Sequence, residues 1–180
     1  MESDFLSLVR NRQSDRQYYS DKAVESDKLE RILEAARLAP SACNGQPWHF
    51  VVMTDPVITR EVGVATAGLG MNKFAREAPV LILVVEEPTN ASAAAGGAVK
   101  GKHFPLLDIG IAVSNITLAA QSEGLGSCIM GWFDEKKIKK LTGIPRSRKL
   151  LLVIAIGYSA GKHREKVRKP NEKVVSYNKY

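Results

Sequence analysis

Four residues near the start of this 180-residue chain have the types and spacing to grip an anion. Arg12, Gln13, Ser14 and Arg16 stand together in "NRQSDRQY". Two guanidiniums and a hydroxyl within five residues suit phosphate oxygens, because each Arg presents a planar fork of N–H donors. Arg168, in "KVRKP", can add a third cation from the other end of the chain. A polar connector after a short helix explains the same residues equally well. A second stretch, "APSACNGQPWHF", runs from Ala39 to Phe50. Ser41, Cys43, Asn44 and Gln46 give it more polar capacity than a helix-to-strand connector needs. A small-molecule site needs small side chains for close approach and a few fixed polar groups. A capped turn fixed by Gly45 and Pro47 also accounts for it.

Other chemistries fail on spacing. "GYSAG", Gly157 to Gly161, matches the G-x-S-x-G nucleophile elbow and follows a strand-like run. That mechanism needs a following helix, an acid and a downstream histidine, and only His163 follows, four residues on. No P-loop and no G-x-G-x-x-G is present. His49, His103 and His163 lie at no zinc-ligand spacing, so no metal is expected. His49 reads as structural. His103, beside Phe104, reads either as a substrate contact or as a surface histidine. Cys43 and Cys128 are far apart and read as small buried hydrophobes rather than redox groups.

Composition bounds the rest. The chain is 44% hydrophobic and 25% charged, which suits one globular domain over residues 1–180. Its net charge of +7 suits nucleic acid, an anionic membrane or a phosphate-bearing small molecule. One basic cluster runs from Lys136 to Lys149 and another from Lys162 to Lys169. No aromatics interleave with the first as base-stacking platforms would, so both read as solvated faces and no nucleic-acid partner is expected. No membrane span is expected. Two thiols and no signal peptide point to the cytoplasm.

These residues must be positioned by a mixed set of elements. A helix is expected from Asp4 to Asn11 with Ser3 as its cap, then one capped by Ser26 with Leu29, Ile32, Leu33 and Ala36 on its apolar face. Phe50–Met53 reads as a strand. Asp55-Pro56 starts a short helix. Val80–Val85 is a continuous apolar run, the mark of a strand covered on both faces. Pro88–Gly101 reads as a mobile loop or weak helix. Leu106–Gln121 is a helix apolar around most of its circumference, hence buried in a core or a subunit interface. Gly124 or Gly126 stops it. Ser127–Met130 is a short strand, Asp134 caps a helix ending near Gly143, and Leu150–Ile156 is another buried strand. Residues 162–180 are too polar to fold alone and are expected to wrap over something. Few strands and long helices favour an α+β sandwich over a doubly wound sheet.

The stretches "NRQSDRQY", "LEAARLAPSACNGQPWHFVVM", "EAPVLILVV", "LDIGIAVSNITLAAQSEGLGSCIMGWFDEKKIKKLTGIP" and "LLLVIAIGYSAGKHREKVRKP" follow one another in order. Together the chain resembles the short form of the FMN-dependent nitroreductase family, from about Phe5 to Val175. The resemblance implies a central, mostly antiparallel sheet covered by helices, in a domain-entwined homodimer whose tail, about 162–180, embraces the partner. It implies that Arg12, Gln13, Ser14, Lys166 and Arg168 hold the phosphate and ribityl end of FMN, while Arg16 approaches the pyrimidine side of the ring. Pro40, Ser41, Ala42, Cys43, Asn44 and Gln46 of the other copy would line the isoalloxazine. Met130 and Gly131 would lie beside flavin N5, and Asn72 and Lys73 near the ring.

The implied activity is ping-pong reduction of nitroaromatics, quinones or related small acceptors by NADH or NADPH. The flavin carries the chemistry and no protein residue is catalytic. One pocket for two flat substrates implies a lid, expected at Ala91–His103, with His103 and Phe104 at the pocket edge. The same scaffold also supports dehalogenation, flavin fragmentation, peptide-ring oxidation or non-catalytic FMN storage.

Overall fold

Residue periodicity accounts for the layering. A computed structural model of the chain describes residues 4–180. Four strands form one antiparallel sheet: β1 (Trp48–Met53), β2 (Val80–Glu86), β3 (Gly126–Met130) and β4 (Lys149–Gly157). Their spatial order is β1-β2-β4-β3, so β1 and β3 are the two edges. Successive side chains of a strand point to opposite faces. In β2, Leu81, Leu83 and Val85 join the core on one face, while Val80, Ile82 and Val84 join the core on the other. In β4, Val153 and Ala155 divide from Ile154 and Ile156 in the same way. This explains the unbroken apolar run: both faces are covered.

Six helices cover the sheet: α1 (Asp4–Asn11), α2 (Ser26–Arg37), α3 (Pro56–Ala65), α4 (Ala91–Lys100), α5 (Phe104–Ser122) and α6 (Glu135–Thr142). Leu29, Ile32 and Ala36 of α2 and Ile109, Val113 and Ile116 of α5 pack on one face. Val62 and Ala65 of α3 and Ile138 of α6 pack on the other. The expected α+β sandwich with an antiparallel sheet is what the chain forms.

Most helix signals act as the sequence predicts. The Asp55 carboxylate accepts from Val57 N and Ile58 N, with Pro56 following it. Asp134 accepts from Lys137 N at the start of α6. Gly124, at φ +75, ends α5 in a Schellman motif, with Leu125 N donating to Ala120 O at 2.8 Å and Gly124 N to Gln121 O at 3.1 Å. Gly126 belongs instead to β3.

Two expectations are corrected and one alternative is decided. Ser26 does not cap α2; Glu25 occupies the N-cap position, and its carboxylate accepts from the Tyr158 hydroxyl at 2.7 Å rather than from the helix. Of the two readings of Pro88–Gly101, the helix holds: Asn90 caps α4 by accepting from Ala93 N at 2.9 Å, and Gly101 at φ +61 closes it. Cys43 is exposed rather than buried, because the 3₁₀ turn Ala42–Asn44 kinks at that residue. The Ser3 cap expected for α1 lies outside the described residues.

The helix α5 is long and apolar enough to cross a bilayer by length and composition alone. It is seated in the core instead. Asp108 is buried and accepts from Ala42 N at 3.1 Å, and Asn115 donates to Ala35 O at 3.0 Å. Its other face, with Leu106, Leu107 and Ile111, stays exposed, as do Phe5, Leu6 and Val9 of α1, a helix with no buried residue.

Candidate functional site

The loop after α1 runs beside the start of β3. Ser14 bridges Ser127 in parallel, and Asp15 N donates to Ser127 O at 2.9 Å. The segment after β4 returns to the same place, with Ala160 N on Gln17 O at 3.0 Å and Arg164 N on the Gln13 Oε1 at 2.9 Å. Both ends of the chain therefore meet at one edge of the sheet. Between them lies a cavity of about 250 Å³ lined by Arg12, Ser14, Arg16, Arg164, Lys166 and Arg168, with Gln13, Glu165 and Val167.

Five of these residues are cations, and none pairs with a carboxylate among the described residues. Three donate to backbone carbonyls, Arg168 from Nη1 to its neighbour Val167 O at 2.8 Å. The Arg164 Nη2 donates to Ser14 O at 2.5 Å. The Lys166 ammonium donates to Arg10 O at 2.5 Å and to Arg12 O, so it caps the C-terminus of α1. Burial holds the Lys166 pKa below the ordinary lysine value, and the charges of Arg12 and Arg168 depress it further. Such crowding of like charge is relieved by an anion.

The edge strand β3 leads away from this cavity. Burial raises the Cys128 thiol above its ordinary pKa, and among the smaller influences Arg16 and Arg164 pull it down, so those charges reach the middle of the strand. Met130 and Gly131 lie about 10 and about 13 Å further along from Ser127. A Cβ on Gly131 would meet nothing nearer than Leu152 Cδ2 at 3.8 Å, and its φ is not positive. The fold does not demand glycine there; room for something laid against the backbone does. Asn72, at φ +56, donates from Nδ2 to Trp132 O at 2.9 Å and so brings Lys73 to the same end of β3.

The segment 40–46 stands at the opposite edge, before β1. Cys43, Asn44 and Gln46 all adopt positive φ, of 49°, 51° and 44°. Three non-glycine residues in the left-handed region within four positions are strained backbone, held by local bonds. Ser41 Oγ accepts from Gln46 N at 3.0 Å, Gln46 Nε2 donates to Asn44 Oδ1 at 3.1 Å, and Asn90 Nδ2 donates to Cys43 O at 2.8 Å. Part of the polar excess seen in the sequence is thus spent inside the loop. Pro40, Cys43, Asn44 and Gln46 remain exposed, with Ser41 and Ala42 half-buried. Beside this loop, α4 rests on Phe104, whose Cδ2 is 3.5 Å from where a Cβ on Gly97 would lie. The His103 Nε2 approaches Glu86 Oε1 at 3.3 Å.

The sequence-predicted residues therefore fall into two groups. Arg12, Gln13, Ser14, Arg16, Lys166 and Arg168 converge on one cavity, and Asn72, Lys73, Met130 and Gly131 lie further along the same edge. Pro40 to Gln46, His103 and Phe104 lie at the other edge, three strand spacings or about 14 Å across the sheet. Gln13 has both ends of its amide occupied within the chain, by Asp15, Lys162 and Arg164. Sequence reasoning missed Arg164 and Asp15. The first had a signal: Arg164, Lys166 and Arg168 alternate, and alternate residues of an extended segment share a face.

Residues 9–69 and 59–158 match the profile of the Nitroreductase family. A protein of Archaeoglobus fulgidus, provisionally named NADH dehydrogenase/NAD(P)H nitroreductase, is 32% identical, with 85% of this chain and 84% of that one covered. An oxygen-insensitive NADPH nitroreductase of Helicobacter acinonychis is 27% identical, with 94% of each chain covered. Among solved structures, an FMN-dependent nitroreductase from Clostridium difficile superposes with a TM-score of 0.79 at 27% identity, covering 97% of this chain and 99% of that one. The chain belongs to the nitroreductase family.

Proposed function

We propose that this chain is an FMN-dependent oxidoreductase that takes electrons from NADH or NADPH and passes them to a nitroaromatic, a quinone or a related flat acceptor. The observation that carries the reading is the cavity of five cations, none in an ion pair among the described residues, where segments 12–16 and 164–168 meet beside β3. This donor set fits the phosphate of FMN: five cations line the cavity beside one carboxylate, Glu165, and burial together with the charges of Arg12 and Arg168 holds the Lys166 pKa below the ordinary lysine value. FMN held there would supply the hydride and electron transfer between nicotinamide and acceptor.

The residues of the chain do the rest. Arg12, Ser14, Arg164 and Arg168 hold the phosphate through charge-assisted hydrogen bonds. Arg16, whose charge is felt at Cys128, is the cation suited to offset negative charge gathered on a reduced ring. Gly131 lets a ring lie against the backbone. No side chain of the cradle has to move a proton. The names of the Helicobacter and Clostridium difficile relatives support the nicotinamide donor and the flavin.

The site is completed across a homodimer on this reading. The phosphate cradle and the strained loop 40–46 stand at opposite edges of one sheet, so one chain cannot close both on one ring. The chain exposes 11265 Å², roughly 30% more than a compact monomer of 19.7 kDa. The excess includes the apolar faces of α1 and α5 and the tail residues Val167, Val174, Val175 and Tyr177.

An absorbance spectrum of the purified protein, taken before and after anaerobic NADPH and NADH, tests the reading. Flavin bands that bleach with either donor are expected. Arg12→Ala should retain less flavin than the wild type. A protein that takes up no FMN when it is supplied in excess would overturn the assignment.

A further inference from the structure

Beneath the cradle lies a carboxylate that the proposed chemistry does not use. Asp15 is 4% exposed, although it sits in a loop whose neighbours Arg16 and Gln17 face solvent. A buried carboxylate is costly unless its oxygens are bonded. Asp15 Oδ1 accepts from Ser159 Oγ at 2.7 Å and from Gln13 Nε2 at 2.9 Å. Its backbone is fixed too, by the N–H bond to Ser127 and by the Tyr18 hydroxyl donating to Asp15 O at 2.9 Å. Space for the carboxylate exists only because residue 126 is glycine: a Cβ there would stand 2.8 Å from Asp15 Oδ2.

The two residues that bond this carboxylate come from the two segments that build the cradle. Ser159 begins the return of the chain after β4, and its Oγ also accepts from Gly161 N at 3.3 Å. Gln13 is bonded at both ends: Nε2 reaches Lys162 O at 3.3 Å as well as Asp15, and Oε1 accepts from Arg164 N. Gln13 therefore connects the buried carboxylate to the segment that carries Arg164, Lys166 and Arg168. Five like charges around one small cavity repel one another, and at Lys166 the charges of Arg12 and Arg168 add to the burial that lowers its pKa. Without a tether, the extended segment 162–168 would gain both entropy and charge relief by leaving the loop 12–16.

We propose that Asp15, Gln13 and Ser159 form a clasp that holds the two chain ends together and so pre-organises the phosphate cradle. They act as positioning residues: Asp15 and Ser159 lie outside the cavity lining, and Gln13, which lines it, has both ends of its amide occupied within the chain. The inference rests on the reading of the cavity as a phosphate site. It reassigns Gln13, which the family resemblance implies to be a flavin contact. Pre-organisation of this kind lowers the ordering cost at the moment of binding, so its loss falls on ligands that use the cradle.

The test compares FMN with riboflavin, which has the same ring and ribityl chain but no phosphate. Dissociation constants for both are measured by flavin fluorescence on the wild type, Gln13→Leu and Ser159→Ala, with circular dichroism to check folding. Each variant is expected to bind FMN about tenfold more weakly, the order expected for a lost buried hydrogen bond. Riboflavin affinity is expected to stay within about twofold, because the ring contacts are elsewhere. Should Gln13→Leu fail to fold, Ser159→Ala, which deletes one hydroxyl, carries the same expectation. Equal losses for FMN and riboflavin, or no loss for either, would overturn the clasp. A wild-type protein with no preference for FMN over riboflavin would instead overturn the phosphate site itself.

Discussion

Gly126 and Gly131 lie five residues apart on one edge of the sheet and answer to different constraints. A Cβ at Gly126 collides with the Asp15 carboxylate at 2.8 Å, whereas a Cβ at Gly131 meets only ordinary contact. Gly126→Ala is expected to lower stability by about 1–3 kcal/mol, as overpacking against a fixed group does. Gly131→Ala is expected to leave the melting temperature unchanged and weaken flavin binding. Thermal unfolding with flavin titration on both variants separates the two. A large loss of stability in Gly131→Ala would mean the fold, rather than a ligand, requires that glycine. In "GLGSCIMGW" Gly126 reads as a helix stop and the family resemblance sets Gly131 beside the flavin, so the close approach of Asp15 to Gly126 is the part the sequence does not show. Asp15 was illegible for a related reason. An aspartate between basic residues reads as a surface charge, and only tertiary contacts from Gln13 and Ser159, 144 residues away, make its burial affordable. Arg12, Ser14 and Arg168 were legible because charge and donor geometry belong to the residue type and survive without the fold.

The strands and the longer helices followed from periodicity, since alternation in β2 and β4 and caps such as Asp55 and Asp134 are local signals. Misreadings fell where a distant partner intervened. Glu25 displaces Ser26 at the start of α2 with its carboxylate on Tyr158, from the far side of the chain. Segment 91–100 takes the helical one of its two readings: alanine favours it over the glycines, and Asn90 both caps it and holds Cys43 O. The docking of α6 has a testable pH dependence. Glu135 bonds the Lys139 ammonium at 2.5 Å and Leu150 N at 3.1 Å, tying the helix to the start of β4. The hydrogen bond from Lys139 is the main cause that lowers its pKa below the usual glutamate value. A carboxyl with a depressed folded pKa contributes stability that is fully present above its unfolded pKa, about 4.3, and lost as pH falls through the lower folded value. Glu135→Gln should therefore melt below the wild type at pH 7. The gap should close as the pH is taken below about 4. A gap that is constant with pH would show that the contribution is not electrostatic.

The molecule as a whole is built with its surfaces unfinished. The apolar faces of α1 and α5 meet solvent, and Ile111, 41% exposed, lies on α5 three residues after Asp108, which holds loop 40–46 through Ala42 N. A glutamate there would have to be desolvated in any interface. Ile111→Glu is expected to shift the protein from dimer to monomer by light scattering and to release flavin in the same step. A monomeric wild type, or a monomeric variant that keeps its flavin, would refute the shared site. The size of the exposed surface could not be read from the sequence, because an all-round apolar helix is equally at home in a core or an interface.

The separation of cradle and loop to opposite edges of the sheet also has a genetic consequence. Each proposed site draws its cradle from one copy and its wall from the other. Take one gene copy carrying Arg12→Ala, which spoils the cradle, and another carrying Asn44→Trp, which obstructs the wall. Either protein alone has two dead sites. Paired in one heterodimer, they collect both lesions in one site and leave the second untouched. Random pairing of equal amounts makes half the dimers mixed, so about a quarter of the sites should recover. Two alleles that each fail by themselves would then complement within a single cell, which defects in a site held by one chain do not do.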